Sequence, residues 1–119
     1  FHGDCAMLEL PMITLDDLKL KSVSTIKVDV EGSEYAVLRG ATRLMGAQHP
    51  RFVIETHGPE IDGIAGDLRQ LCSLLVDSGY QLWDLTLNRF TATEEYSERF
   101  RHRIGYLLAA CSFEEIQLT

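Results

Sequence analysis

Between Thr25 and Glu31 apolar and polar residues alternate, with Ile26, Val28 and Val30 set against Lys27, Asp29 and Glu31. A two-residue period places the two sets on opposite faces of a strand. Gly32 breaks the pattern, and Ser33 is placed to cap a helix. Beyond it Val37, Leu38, Ala41, Leu44 and Met45 recur at helical spacing. That single apolar stripe predicts one helix, with Gly46 as its stop. Gly40 inside the stripe costs about 1 kcal/mol relative to alanine, which predicts close packing there against a sheet.

The rest of the chain follows the same rhythm. His49-Pro50 imposes an extended or turn conformation. Arg51 to Thr56 then reads as a second strand centred on Phe52, Val53 and Ile54, closed by His57-Gly58-Pro59. A Gly- and acid-rich stretch from Glu60 to Asp67 leads into a helix that starts near Ile64 or Ala65. Its stripe is Leu68, Leu71 and Leu75, and it ends at Ser78-Gly79. Tyr80 to Leu87 predicts a third core strand, and Ile104 to Ala110 a last one. The polar stretch Asn88 to Arg103 reads as a long loop or an exposed helix. Upstream, Ala6 to Leu10 suits a short strand. Thr14 with Asp17 forms a capping box for a short helix ending between Lys21 and Ser24.

Strands alternating with helices predict an α/β sheet, parallel at least in its first members, and leave the direction of the return strand open to an antiparallel course. With 119 residues and no internal repeat, one domain is expected. Its opening on Phe1 rather than Met, almost at once in a strand-like segment, predicts a piece of a longer protein.

Charge and composition narrow the function. A net charge of −7 argues against nucleic acid, which needs a Lys/Arg surplus on some face. No apolar run approaches the ~20 residues of a membrane span, and no signal peptide is visible. Cys5, Cys72 and Cys111 are few, odd in number and far apart, which predicts three small buried hydrophobes in a reducing, cytoplasmic setting. Trp83 and the tyrosines are expected in core or interface packing, and His2, His49 and His102 on the surface.

The chemistry gathers at two strand ends. A parallel strand covered on both faces is apolar throughout, yet the first strand carries Lys27, Asp29 and Glu31. Either it is an edge strand whose polar face meets water, or that face lines a site. In open α/β sheets ligands bind at the carboxyl ends of the strands, where Asp29 and Glu31 lie. Glu55 and His57 repeat the pattern on the second strand. If the two strands are parallel neighbours, all four side chains come within reach of one another. Close carboxylates raise each other's pKa, so one can serve as a general base. The same set could instead hold a divalent metal in a hydrolase.

Three segments then carry a resemblance. Thr14-Leu15-Asp16-Asp17-Leu18, Ile26-Lys27-Val28-Asp29-Val30-Glu31-Gly32-Ser33-Glu34 and Val37-Leu38-Arg39-Gly40-Ala41 resemble successive signature segments of FkbM-family methyltransferases. Pro50 before a strand ending in Glu55 and His57, Gly79-Tyr80, and a closing apolar strand follow in the family's order. The resemblance runs from about Leu10 to Cys111 and is most specific at its centre. It implies the C-terminal part of a Rossmann-like class I methyltransferase fold, with a parallel sheet, an antiparallel last strand and helices on both faces. It further implies S-adenosylmethionine as methyl donor and a hydroxyl on a sugar, glycan or polyketide-type molecule as acceptor.

By that resemblance Thr25 to Glu31 is the fourth strand, its carboxyl end facing the transferring methyl. Asp29 and Glu31 then orient the acceptor and take its proton, with Asp29 also beside the cofactor. Glu55 and His57 become second-rank groups on the substrate side. One departure is large: no strand-Gly-x-Gly-helix segment precedes residue 25. Residues 1–119 are therefore expected to form a partial domain without the cofactor-binding half, inactive alone. The competing expectation is a non-catalytic binding module that covers its open sheet edge by dimerising.

Overall fold

The computed structural model describes residues 5–58 and 68–117. The described residues form a mixed α/β sheet whose first strand, β1 (Thr25–Val28), runs parallel to β2 (Arg51–His57). Between them lie α1 (Glu34–Arg39) and α2 (Thr42–Gln48). After β2 come α3 (Leu68–Asp77), β3 (Gln81–Trp83), β4 (Arg89–Phe90), α4 (Thr93–Arg99), β5 (Ile104–Ala110) and α5 (Phe113–Gln117). The spatial order is β1-β2-β5-β3-β4. The last long strand is antiparallel, as expected, and it enters the middle of the sheet between β2 and β3.

Alternation along the strands divides the sheet into two faces. Val28, Phe52, Ile54, Leu82, Leu107 and Ala109 share one buried cluster with Leu38 of α1, Leu71 and Leu75 of α3, and Tyr96 of α4. On the other face α5 is the helix that packs: Phe113 meets Trp83, and the Arg51 guanidinium donates to the Glu115 carbonyl at 2.8 Å. The helices are thus on both faces but unequally. Tyr106 and Ile104 on the second face stay exposed.

Several expected elements are redrawn, each for a local reason. Ala6 to Leu10 is not a strand; Met7, Leu8 and Leu10 are exposed and no described strand pairs with them. A strand-like pattern without a ladder partner has nothing to hold it. Thr14 and Asp17 do form the reciprocal pair, with backbone-to-side-chain bonds of 3.0 Å in both directions. The helix they open is only a 3-10 turn, Asp16–Leu18, ended by left-handed Lys19. β1 stops at Val28 rather than Val30, because Glu31 and Gly32 take left-handed φ values of 52° and 111°.

The single helix predicted after Ser33 is two, broken at Gly40 and Ala41. Ser33 stands at the first N-cap but makes no side-chain capping bond. Gly40 packs not against the sheet but against Thr14, whose Cβ would lie 2.9 Å from a Cβ placed there. Ala41 at the start of α2 has no capping oxygen, and Asp16 supplies one from the preceding turn. Its carboxylate accepts the Arg43 and Leu44 N–H groups, both at 2.9 Å, while its own N–H donates to the Gly40 carbonyl. Gly46 does not stop α2. The helix runs to Gln48 and is capped by His49, which turns left-handed before Pro50.

Asp16→Ala is accordingly expected to cost about 1–2 kcal/mol, the value of a lost cap. A shift in the urea midpoint with unchanged slope checks it. The Asp17 carboxyl is held below the ordinary carboxylate value by the Thr14 N–H and then the Thr14 hydroxyl. Its contribution is therefore present above the unfolded carboxylate pKa and is lost as pH falls through the lowered folded value.

The third core strand is also shorter than Tyr80 to Leu87. Asp84 accepts bonds from the Thr86 N–H, the Thr86 hydroxyl and the Asn88 N–H, which turns the chain just after Trp83. Leu85 and Leu87 are left exposed. The stretch Asn88 to Arg103 holds β4 and α4, whose start is braced by Glu95 accepting from Thr91 and Ala92. The expected start of α3 near Ile64 or Ala65 lies outside the described residues. Its end is as expected, with Gly79 at φ 93° and the Tyr80 N–H returning to Leu75. Among the described residues the cysteines form no disulfide; Cys72 is buried as expected, but Cys111 is only half-buried and Cys5 is exposed.

Candidate functional site

The parallel pairing of β1 with β2 sets Val28 beside Ile54, so Asp29 and Glu55 leave the sheet side by side at the carboxyl ends. Partial burial, and then the hydrogen-bonding and repelling Asp29 carboxyl, hold the Glu55 carboxyl above its ordinary value. His57 and Lys27 act on it in the opposite direction. Of the four predicted groups, Asp29 and Glu55 therefore meet, and His57 stands near enough for its charge to reach Glu55. Glu31 does not join them: it is exposed in the left-handed turn, and no hydrogen bond or ion pair among the described residues ties it to Glu55 or His57.

His57 is not an open surface imidazole. Its Nδ1 lies 2.8 Å from Oε1 of Glu34, and the Gly32 N–H donates to the same oxygen at 2.8 Å. Glu34 is 1% exposed and His57 7%. Glu34 begins α1, so the Glu31-Gly32 turn returns the chain and brings this carboxylate under the end of β2. Sequence reading missed Glu34 because a glutamate at a helix start is ordinarily solvated. Its place in the central segment, three residues after Glu31, was the only signal.

Among the described residues no three His, Cys, Asp or Glu side chains converge closely enough to hold a metal ion. An apolar groove of about 680 Å³ lies elsewhere, between Met12–Leu18 and α1, and carries no titratable side chain. No helix among the described residues is long and apolar enough to cross a membrane.

The raised Glu55 pKa has a consequence for stability. A carboxyl whose folded value lies above its unfolded one favours the fold at low pH and opposes it once pH rises through the folded value. Glu55→Gln is thus expected to melt at the same or a higher temperature than the unaltered chain at pH 7. Scans at pH 4 and pH 7 check this, and the difference should shrink at the lower pH.

Asp29 and Glu55 thus stand at the carboxyl ends of adjacent parallel strands, the position at which open α/β sheets bind their ligands. A family model described as the methyltransferase FkbM domain matches residues 7–82, and the chain belongs to that family. The match takes in the Asp16 turn, the Asp29 and Glu34 segment, Gly40, and both Glu55 and His57; α4 and β5 lie beyond it. No curated protein and no solved structure matches the chain.

Proposed function

We propose that this chain forms the acceptor-side wall of an S-adenosylmethionine-dependent O-methyltransferase with a Rossmann-like sheet. The acceptor is a hydroxyl on a sugar, glycan or polyketide-type molecule. The observation that carries the reading is the meeting of Asp29 and Glu55 at the carboxyl ends of adjacent parallel strands, inside the family-matched stretch.

The donor set suits the methyl-bearing end of such a cofactor, because carboxylates favour a nearby sulfonium and ammonium charge. Asp29 is the residue that would face it. When bound, the group supplies an electrophilic methyl carbon. What the chain itself must do is hold the acceptor oxygen in line and exclude water. Asp29 faces the methyl donor and, with Glu55 beside it, accepts hydrogen bonds from hydroxyls neighbouring the reacting one, which holds the acceptor in place. Glu31 stands at the lip of the same turn. The cradle for the nucleoside is assigned to residues outside this chain, and the setting to the cytoplasm.

Transfer of labelled methyl from S-adenosylmethionine to an alcohol panel tests this, in the chain and in the longest natural protein that contains it. No transfer by either would overturn the reading. A second reading, a dimerising module without catalysis, is favoured by the β1 edge, which among the described residues pairs only with β2. Sedimentation of the chain as a monomer would remove it.

A further inference from the structure

The buried pair Glu34–His57 has no part in the roles assigned to Asp29 and Glu55. We propose that Glu34 positions His57 as the group that takes the proton of the acceptor hydroxyl, an assignment that rests on the methyltransferase reading of this site.

The pair is costly as a structural clamp. A carboxylate taken out of water needs full hydrogen bonding to be tolerated, and a neutral amide would hold the Gly32 turn as well. What an amide would not supply is charge. A carboxylate accepting from Nδ1–H keeps the imidazole proton on that nitrogen and leaves the lone pair on Nε2. Once Nε2 takes a proton, the same carboxylate stabilises the imidazolium, and more strongly because it is buried. Location agrees: His57 ends β2, two residues beyond Glu55, and its charge reaches the Glu55 carboxyl that Asp29 also touches.

The step balances. As the acceptor oxygen's lone pair bonds the methyl carbon, the carbon–sulfur bond breaks with its electrons passing to sulfur. The hydroxyl proton goes to Nε2 of His57. Glu34 touches neither reactant and is a positioning residue.

The test has two arms. In the unaltered 119-residue chain, ¹⁵N NMR of neutral His57 should place the proton on Nδ1; a proton on Nε2 would overturn the assignment without any activity measurement. In the longest natural protein containing the chain, Glu34→Gln keeps an acceptor for both N–H groups but removes the charge. That variant and His57→Gln should each lower kcat by about 10²–10⁴-fold, with acceptor KM and melting temperature little changed. The double variant should be no slower than His57→Gln, since Glu34 acts through His57. Full kcat in either single variant would refute the role, as would a loss that tracks melting or KM. If the unaltered protein transfers no methyl, the methyltransferase reading itself falls, and this inference with it.

Discussion

Asp29→Asn is expected to lower methyl transfer by about 10²-fold or more while leaving the fold intact. Asp29 lies past the last residue of β1 and is exposed, so the change opens no cavity and breaks no core contact. It removes the charge that holds the acceptor in place and faces the methyl donor. Burial is the largest cause of the raised Glu55 pKa, and the change relieves the repulsion that adds to it, so melting at neutral pH should hold or rise. Glu31→Gln, in the exposed turn, should change kcat far less. Steady-state kinetics of the two variants in one assay decide the matter. Equal losses, or an active Asp29→Asn, would move the site away from the Asp29–Glu55 pair.

The largest effect on stability is expected at Tyr96. Its ring stacks on Phe100 with centroids 4.5 Å apart and meets Phe90 edge-on at 5.3 Å. Its hydroxyl, 2.6 Å from that of Thr56, ties α4 to the carboxyl end of β2. Gly105 must lack a side chain to admit this, since a Cβ there would meet the Phe100 ring and the Tyr96 hydroxyl. Tyr96→Ala should therefore cost about 3–5 kcal/mol, out of the roughly 5–15 kcal/mol that a whole domain has. Tyr96→Phe should cost only about 1 kcal/mol, because the Thr56 hydroxyl still reaches the Gly105 carbonyl at 3.3 Å. Urea midpoints of the two variants check the order. Equal midpoints would show that the ring packing matters less than the hydroxyl.

Tyr96 was also the residue least legible beforehand. Asn88 to Arg103 is dense in charge, and one buried tyrosine in such a run gives no helical stripe. Much of the surface that buries α4 belongs to α3, which is separated from it in the chain by β3 and β4. Glu34 was hidden in the same way, since its burial depends on the turn at Glu31 and on where β2 ends. The strand pattern at Asp84 to Leu87 misled for the opposite reason. Apolar residues alternate there, but a local Asp84 turn satisfies the backbone before a ladder can form.

What the sequence by itself determined is the local and periodic part of the protein. The alternation in β1, the uninterrupted apolar centre of β2, the run of β5 and the reciprocal pair of Thr14 and Asp17 depend on neighbours within a few residues, as does the family signature. Only the tertiary structure decided which side chains share one site. Parallel pairing brings Asp29 to Glu55, the left-handed turn leaves Glu31 outside, and the folded-back helix start buries Glu34 against His57. Those contacts span more than twenty residues, and they exist only after the sheet has set the register between strands.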